Sequence, residues 1–301
     1  MTLRLPIGYD NFRTIRQQKL HFVDKSEFIV DVLDDSAQVM VITRPRRFGK
    51  TLNLSMLHHF LAAEVNGQST QYLFDGLKIL TASPDYLTHQ GHYPVISLTL
   101  KDIQDHNFEN AYKSLRQILA QLYREHDYLL QSPQLSNSSK TVFEAILSNQ
   151  ADLEILVSAL QFLSYCLYQH TGVNPWILID EYDSPIQAAY FHGYYDSMMR
   201  FMRNFLGAAL KSNAYLYRAV MTGILRIAKE SIFSDLNNLK MYSLLNPKYG
   251  QYFGFTEAET SALLAQTNLS HQQADIRDWY NGYYIGNSVV YNPWSIINCI
   301  D

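Results

Sequence analysis

The segment Val39-Met40-Val41-Ile42-Thr43-Arg44-Pro45-Arg46-Arg47-Phe48-Gly49-Lys50-Thr51-Leu52 constrains the fold more than any other stretch of this chain. Its short continuous apolar run reads as a buried parallel strand. Gly49-Lys50-Thr51 then opens a helix to about residue 63 that buries Leu54, Leu57, Phe60 and Leu61. Strand, loop and helix in that order make the layout of a phosphate-binding loop, where backbone N–H groups and a helix N-terminus face anionic oxygens. Lys50 is placed to reach the β- and γ-phosphates of a nucleotide, and the Thr51 hydroxyl to bind Mg2+. The common template G-x-x-x-x-G-K-[ST] has glycine where this chain has Arg44. On this segment alone, an ordinary surface turn is a competing reading.

A second segment narrows the choice. Trp176-Ile177-Leu178-Ile179 runs into Asp180-Glu181-Tyr182-Asp183, a buried strand delivering carboxylates to its C-terminal end. Ligands of open α/β sheets bind at such ends. Asp180 suits a Mg2+ ligand, and Glu181 suits a base polarising water for attack on a γ-phosphate. Asp183 precedes Ser184-Pro185, so it also reads as a helix start. A further strand, Tyr215–Thr222, ends in Thr222, which is either a γ-phosphate sensor or a helix cap. Arg226 follows as a candidate sensor or finger.

The remaining pattern alternates strands with helices. Tyr93–Leu100 alternates like a strand between the loop and the acidic strand in chain order, and Phe108–Arg124 has helical spacing. Residues 131–140 read as the clearest loop, followed by one long helix carrying Leu153, Leu156, Val157, Leu160, Leu163 and Leu167. Helices near 185–190 and 196–211 precede the Thr222 strand, and Met241–Leu245 is a fifth strand candidate. Such alternation implies right-handed crossovers and a parallel sheet flanked by helices. The reading is an α/β fold of the P-loop NTPase type, in the additional-strand catalytic-glutamate division.

The core is expected over residues 1–245, with an N-terminal lead-in in which Ser26 caps a short helix. From 246 to 301 a small lid or winged-helix-like element follows. Thr256-Glu257-Ala258-Glu259 is a capping box, Tyr283-Tyr284-Ile285 and Val289-Val290-Tyr291 flank a Gly286-Asn287 turn, and Asn292-Pro293 opens another helix. The abrupt stop after that start suggests a chain cut before a further domain.

Hydrophobic residues at 47% support a large core, and a net charge of −4 argues against a general polyanion-binding surface. Cys166 and Cys299 match no zinc spacing, no signal segment opens the chain, and no apolar run has membrane-spanning length. A cytoplasmic protein without a membrane partner is the expectation. His89 and His92 have metal-like spacing but no evident third ligand. Arg200 and Arg203 fit a solvated helix face.

The chain resembles the AAA-ATPase-like family of prokaryotic P-loop proteins, often joined to a C-terminal PD-(D/E)XK nuclease domain. The resemblance rests on Phe22-Val23-Asp24-Lys25-Ser26, Arg44–Thr51, Asp180–Pro185, Met221-Thr222-Gly223, Phe253–Thr256, Trp279–Tyr283 and Tyr291–Ser295, in family order. The Arg-Pro-Arg-Arg form is similar to the family's own loop. What the resemblance implies is ATP binding and Mg2+-dependent hydrolysis by Lys50, Thr51, Asp180 and Glu181, with Arg44 to Leu52 around the nucleotide and an attached or partner effector, or a homo-oligomer. Nuclease activity is not expected of these residues, and nucleic acid would be met only through a missing domain or partner. Two alternatives stand beside an ATPase: a nucleotide-binding regulatory module without turnover, and the ATPase part of a nuclease-linked defence or repair protein.

Overall fold

The computed structural model describes residues 3–224, 233, 237–280, 282–286 and 288–301. Among the described residues, five strands form one parallel sheet: β1 (Val39–Thr43), β2 (Val95–Thr99), β3 (Trp176–Asp180), β4 (Arg218–Gly223) and β5 (Leu239–Tyr242). Their order across the sheet is β2-β3-β4-β1-β5. The strand that enters next to β1 is therefore β4, which carries Thr222. β2, which precedes the acidic strand in the chain, lies at the outer edge. The pairs are in register from Val95 with Trp176 to Thr99 with Asp180, and from Trp176 with Arg218 to Ile179 with Met221. β1 and β3 are buried at every position. That is why both read as unbroken apolar runs: helices cover a parallel sheet on both faces.

The chain divides into two compact units. One, residues 36–41 and 93–241, holds most of the sheet and a continuous core in which Val39, Val41, Ile177 and Ile179 meet Leu115, Leu119, Leu160, Leu163, Met202 and Phe205. The helix expected over Phe108–Arg124 has those bounds, with the Asn107 side chain accepting from the Asn110 N–H as N-cap.

Two expectations fail here. The serine-rich segment is not a loop throughout: a helix spans Asn137–Leu147, capped by the Ser136 hydroxyl on the Ser139 N–H. The long helix after it is two, Leu153–Val157 and Ala159–Thr171. They part at Ser158, whose N–H and hydroxyl both return to the Ile155 carbonyl.

The other unit comprises residues 1–35, 42–92 and 242–301. It contains α1 (Lys50–Leu61) and a three-stranded antiparallel sheet of β6 (Phe255–Thr256), β7 (Tyr283–Ile285) and β8 (Ser288–Tyr291), ordered β6-β8-β7. The capping box is present: Thr256 and Glu259 exchange side-chain bonds at the start of Glu257–Gln266. Ser26 does stand at the start of the Glu27–Leu33 helix, but its hydroxyl accepts from the Ile79 N–H instead of capping.

A buried carboxylate organises this unit. Asp35 accepts from the hydroxyls of Tyr242 and of Tyr249 (2.7 Å), and its Oδ2 lies 2.5 Å from the Lys248 ammonium. Lys25 binds Glu259 at 2.6 Å and donates to the Gln251 carbonyl. Breaking one partner of such a buried set leaves an uncompensated polar group, so these contacts resist change more than a surface ion pair does.

The Tyr242 and Tyr249 phenols are held above their ordinary range, first by burial and then by the hydrogen bond to the Asp35 carboxylate. An unfolded tyrosine ionises near pH 10, as a model value. Because the folded phenols keep their protons to higher pH, their stabilisation is complete below pH 10 and is lost as the pH climbs beyond it. Urea unfolding should therefore show a midpoint falling above pH 10. Tyr249→Phe should cost about 1–3 kcal/mol at pH 8 and flatten that alkaline fall; an unchanged alkaline slope would contradict the assignment.

Candidate functional site

The loop after β1 is built by backbone conformations that its residue types only partly explain. Gly49, the N-cap residue of α1, has φ +79°, and Arg47 has φ +68°. Left-handed residues of this kind let a short loop turn successive N–H groups to one side. Glycine adopts such angles without strain; Arg47 does not, and its conformation must be held by surrounding contacts. α1 runs for 12 residues from Lys50, long enough to present a full helix N-terminus to an anion. The Lys50 ammonium is buried and turns back into the loop, donating to the carbonyls of Arg44 (3.2 Å) and Pro45 (2.9 Å). Thr51 and Leu52 are half-buried.

The Arg44 side chain turns into the interior of its unit. It is wholly buried, and its guanidinium donates to the carbonyls of Thr43 (2.8 Å), Tyr242 (2.9 Å) and Lys248 (3.3 Å). The group also stacks 5.3 Å from the centre of the Phe253 ring. Burial pushes its pKa down to about 10, which leaves it charged at neutral pH. The Arg44 side chain thus braces the loop, and its carbonyl meets Lys50. Phe48 is likewise buried, edge-on to Tyr283 with ring centres 4.9 Å apart. Arg46 and Arg47 are exposed, the latter 3.8 Å over the ring of Trp294.

The acidic strand end lies in the other unit and forms a compact set of its own. Asp180 is buried; its Oδ1 accepts from the Thr222 hydroxyl and from the Glu181 N–H at 3.0 Å. Thr222 reaches this position because β4 pairs with β3 and the Tyr182 N–H donates to the Thr222 carbonyl at 3.1 Å. Glu181 has φ +49°, a left-handed corner after the strand, and its carboxylate accepts from Ser184 Oγ at 3.1 Å. Asp183 is fully buried, at the N-cap position of α2 (Ser184–His192), and its Oδ2 accepts from the Ile224 N–H and the Gln187 amide. Of the three acids in Asp-Glu-Tyr-Asp, this one has an architectural job. Gly223 completes the corner: a Cβ there would lie 2.6 Å from Asp183 and 2.7 Å from the Tyr182 ring.

The structure thus joins Asp180, Glu181 and Thr222 in one unit, and Arg44, Pro45 and Lys50 in the other. Arg226 lies outside the described residues. Arg200 and Arg203 are exposed on their helix. Sequence reasoning missed Ser184, although its place three residues after Glu181 at a helix start is a legible signal. It also missed Tyr283 and Trp294 as neighbours of the loop, for which no local signal exists.

A family sequence model described as "Predicted AAA-ATPase" matches residues 6–233 of this chain. The protein belongs to the AAA-ATPase-like family. This AAA-ATPase-like chain is also 27% identical, over 98% of its length, to an "Uncharacterized protein in vnfD 5'region" of Azotobacter chroococcum mcd 1. It spans 51% of that curated relative. No solved structure matches it. Among the described residues, no helix is long and apolar enough to cross a membrane.

The inward Arg44 distinguishes this loop from the glycine template in a testable way. Arg44→Gly restores the template residue, yet it strips hydrogen bonds from buried carbonyls and opens a cavity. It should lower unfolding stability by about 3 kcal/mol or more. A gain, or no change, in the urea midpoint would remove Arg44 from its bracing role.

Proposed function

We propose that this AAA-ATPase-like chain binds ATP with Mg2+ and hydrolyses it. The observation that carries the reading is the buried Lys50 ammonium, curled into the carbonyls of its own loop at the head of α1. A charge kept there at the cost of desolvation has a use if a polyphosphate takes over from those carbonyls. The choice of ATP over GTP rests on the family.

The residues fit the metal. A threonine hydroxyl and a carboxylate are hard oxygen donors of the kind Mg2+ accepts while keeping several waters. Thr51 and Asp180 are the residues that would hold it, and bound Mg2+ would neutralise charge on the phosphate oxygens. The Thr222 hydroxyl and the Glu181 N–H fix the Asp180 carboxylate in one orientation. Glu181 is assigned the water: its carboxylate orients the nucleophile and takes its proton, while Ser184 limits its rotation. Exposed Arg46 and Arg47 add positive charge beside the phosphates, and Arg226 remains a candidate finger. The sheet order, with β4 between β1 and β3, supports the additional-strand catalytic-glutamate division.

The bond from Ser184 to Glu181 favours a second reading, a nucleotide switch whose turnover waits for a partner. In either case an effector joined to the chain or recruited by it would read the nucleotide state.

Calorimetry with Mg–ATP and a phosphate-release assay test both. Lys50→Ala should weaken binding by roughly 10- to 100-fold, the loss of charge-assisted bonds. Glu181→Gln should keep binding but lower turnover by about 10²- to 10⁴-fold. Binding without turnover in the wild-type protein selects the switch. No uptake of Mg–nucleotide by folded protein ends both readings.

A further inference from the structure

Three consecutive loop residues are each held by the C-terminal segment of the same unit. The Arg46 carbonyl accepts from Asn292 Nδ2 at 3.5 Å, Arg47 stacks on Trp294, and Phe48 meets Tyr283. Asn292 is also the N-cap of α3 (Pro293–Ile300), its Oδ1 accepting from the N–H groups of Trp294 (3.0 Å) and Ser295 (3.4 Å). One asparagine therefore both starts the helix and touches the loop.

These contacts differ in what a ligand can undo. Phe48 is packed out of solvent, and no phosphate competes for a phenyl ring. Arg47 is exposed, lies at φ +68°, and faces a Trp294 ring that is 44% exposed. A guanidinium over an exposed ring is held less firmly than one in charge-assisted bonds to phosphate. Resting on the reading of residues 44–51 as a polyphosphate site, we propose that Arg47 is a nucleotide-operated latch. It fastens the start of α3 to the loop through Trp294, and a bound triphosphate draws its guanidinium off the ring. Release is felt beyond the contact, because Ile296 and Ile297 of α3 belong to a core with Phe255, Leu263, Leu264 and Ile276. The C-terminal segment is then the part of this unit through which nucleotide state leaves the loop. By linkage, the ring and the nucleotide must oppose each other to the same extent.

Tryptophan emission tests the latch. In a Trp279→Phe background Trp294 is the exposed tryptophan, since Trp176 is wholly buried. Titration with Mg–ATP, with calorimetry reporting occupancy, should shift Trp294 emission and increase its quenching by acrylamide. Arg47→Ala at saturating nucleotide should abolish that response. Trp294→Leu should bind nucleotide about two- to fivefold more tightly, the worth of an exposed cation–π contact. Trp294→Phe, which keeps a smaller ring, should fall between and guards against a folding defect. Nucleotide bound with Trp294 emission unchanged, or a response surviving Arg47→Ala, overturns the latch and leaves the phosphate site standing. No calorimetric binding removes the phosphate site, and the latch with it.

Discussion

A guanidinium inside a protein is stable only where oxygens replace its water. Arg44 meets that demand by taking carbonyls from Tyr242 and Lys248, 198 and 204 positions further along the chain. Its own carbonyl faces Lys50. One residue thus connects the lysine of the loop to a segment the chain reaches only after completing the sheet. The glycine template achieves close approach by having no side chain; here the same position carries a charged brace. The loop does not stand by itself, and its shape depends on residues 242–253 being in place.

The acidic corner follows a different logic. Asp180 is oriented by a hydroxyl and an N–H, Glu181 is held in a left-handed turn by its neighbour Ser184, and Asp183 is taken up by the Ile224 N–H and the Gln187 amide. Three carboxylates within four positions would repel one another if all faced one space. Separate hydrogen-bond partners let them coexist, with Asp183 held by the Ile224 N–H and the Gln187 amide and the other two kept near the strand end. Preorganisation of this kind suits groups that must not reorient during a reaction.

How much was legible follows from what each signal depends on. β3 and the Phe108–Arg124 helix have the bounds their residues suggest, because burial on both faces or along one stripe writes itself directly into apolar spacing. The serine-rich segment misled because serine serves turns and helix starts alike, and only the Ser136 bond to Ser139 decides between them. The break at Ser158 was invisible because leucine spacing counts side chains and is blind to where N–H groups bond. The place of β4 beside β1 is a matter of sheet topology, which chain order leaves open. For the candidate site, the loop and the acidic strand stand out as motifs. The direction of the Arg44 side chain does not, since its partners are main-chain oxygens far away in the chain.

That last feature bears on how such a protein can change. Arg44, Asn53 and Lys25 all bond to carbonyl oxygens, of Tyr242, Lys248, Tyr252 and Gln251. Every amino acid carries that oxygen, so drift in residue identity leaves these acceptors where they are. A single inserted or deleted position between 242 and 248 would put the carbonyls of Lys248, Gln251 and Tyr252 out of step with that of Tyr242. Tolerance of spelling together with intolerance of altered length is the evolutionary signature this stretch should bear.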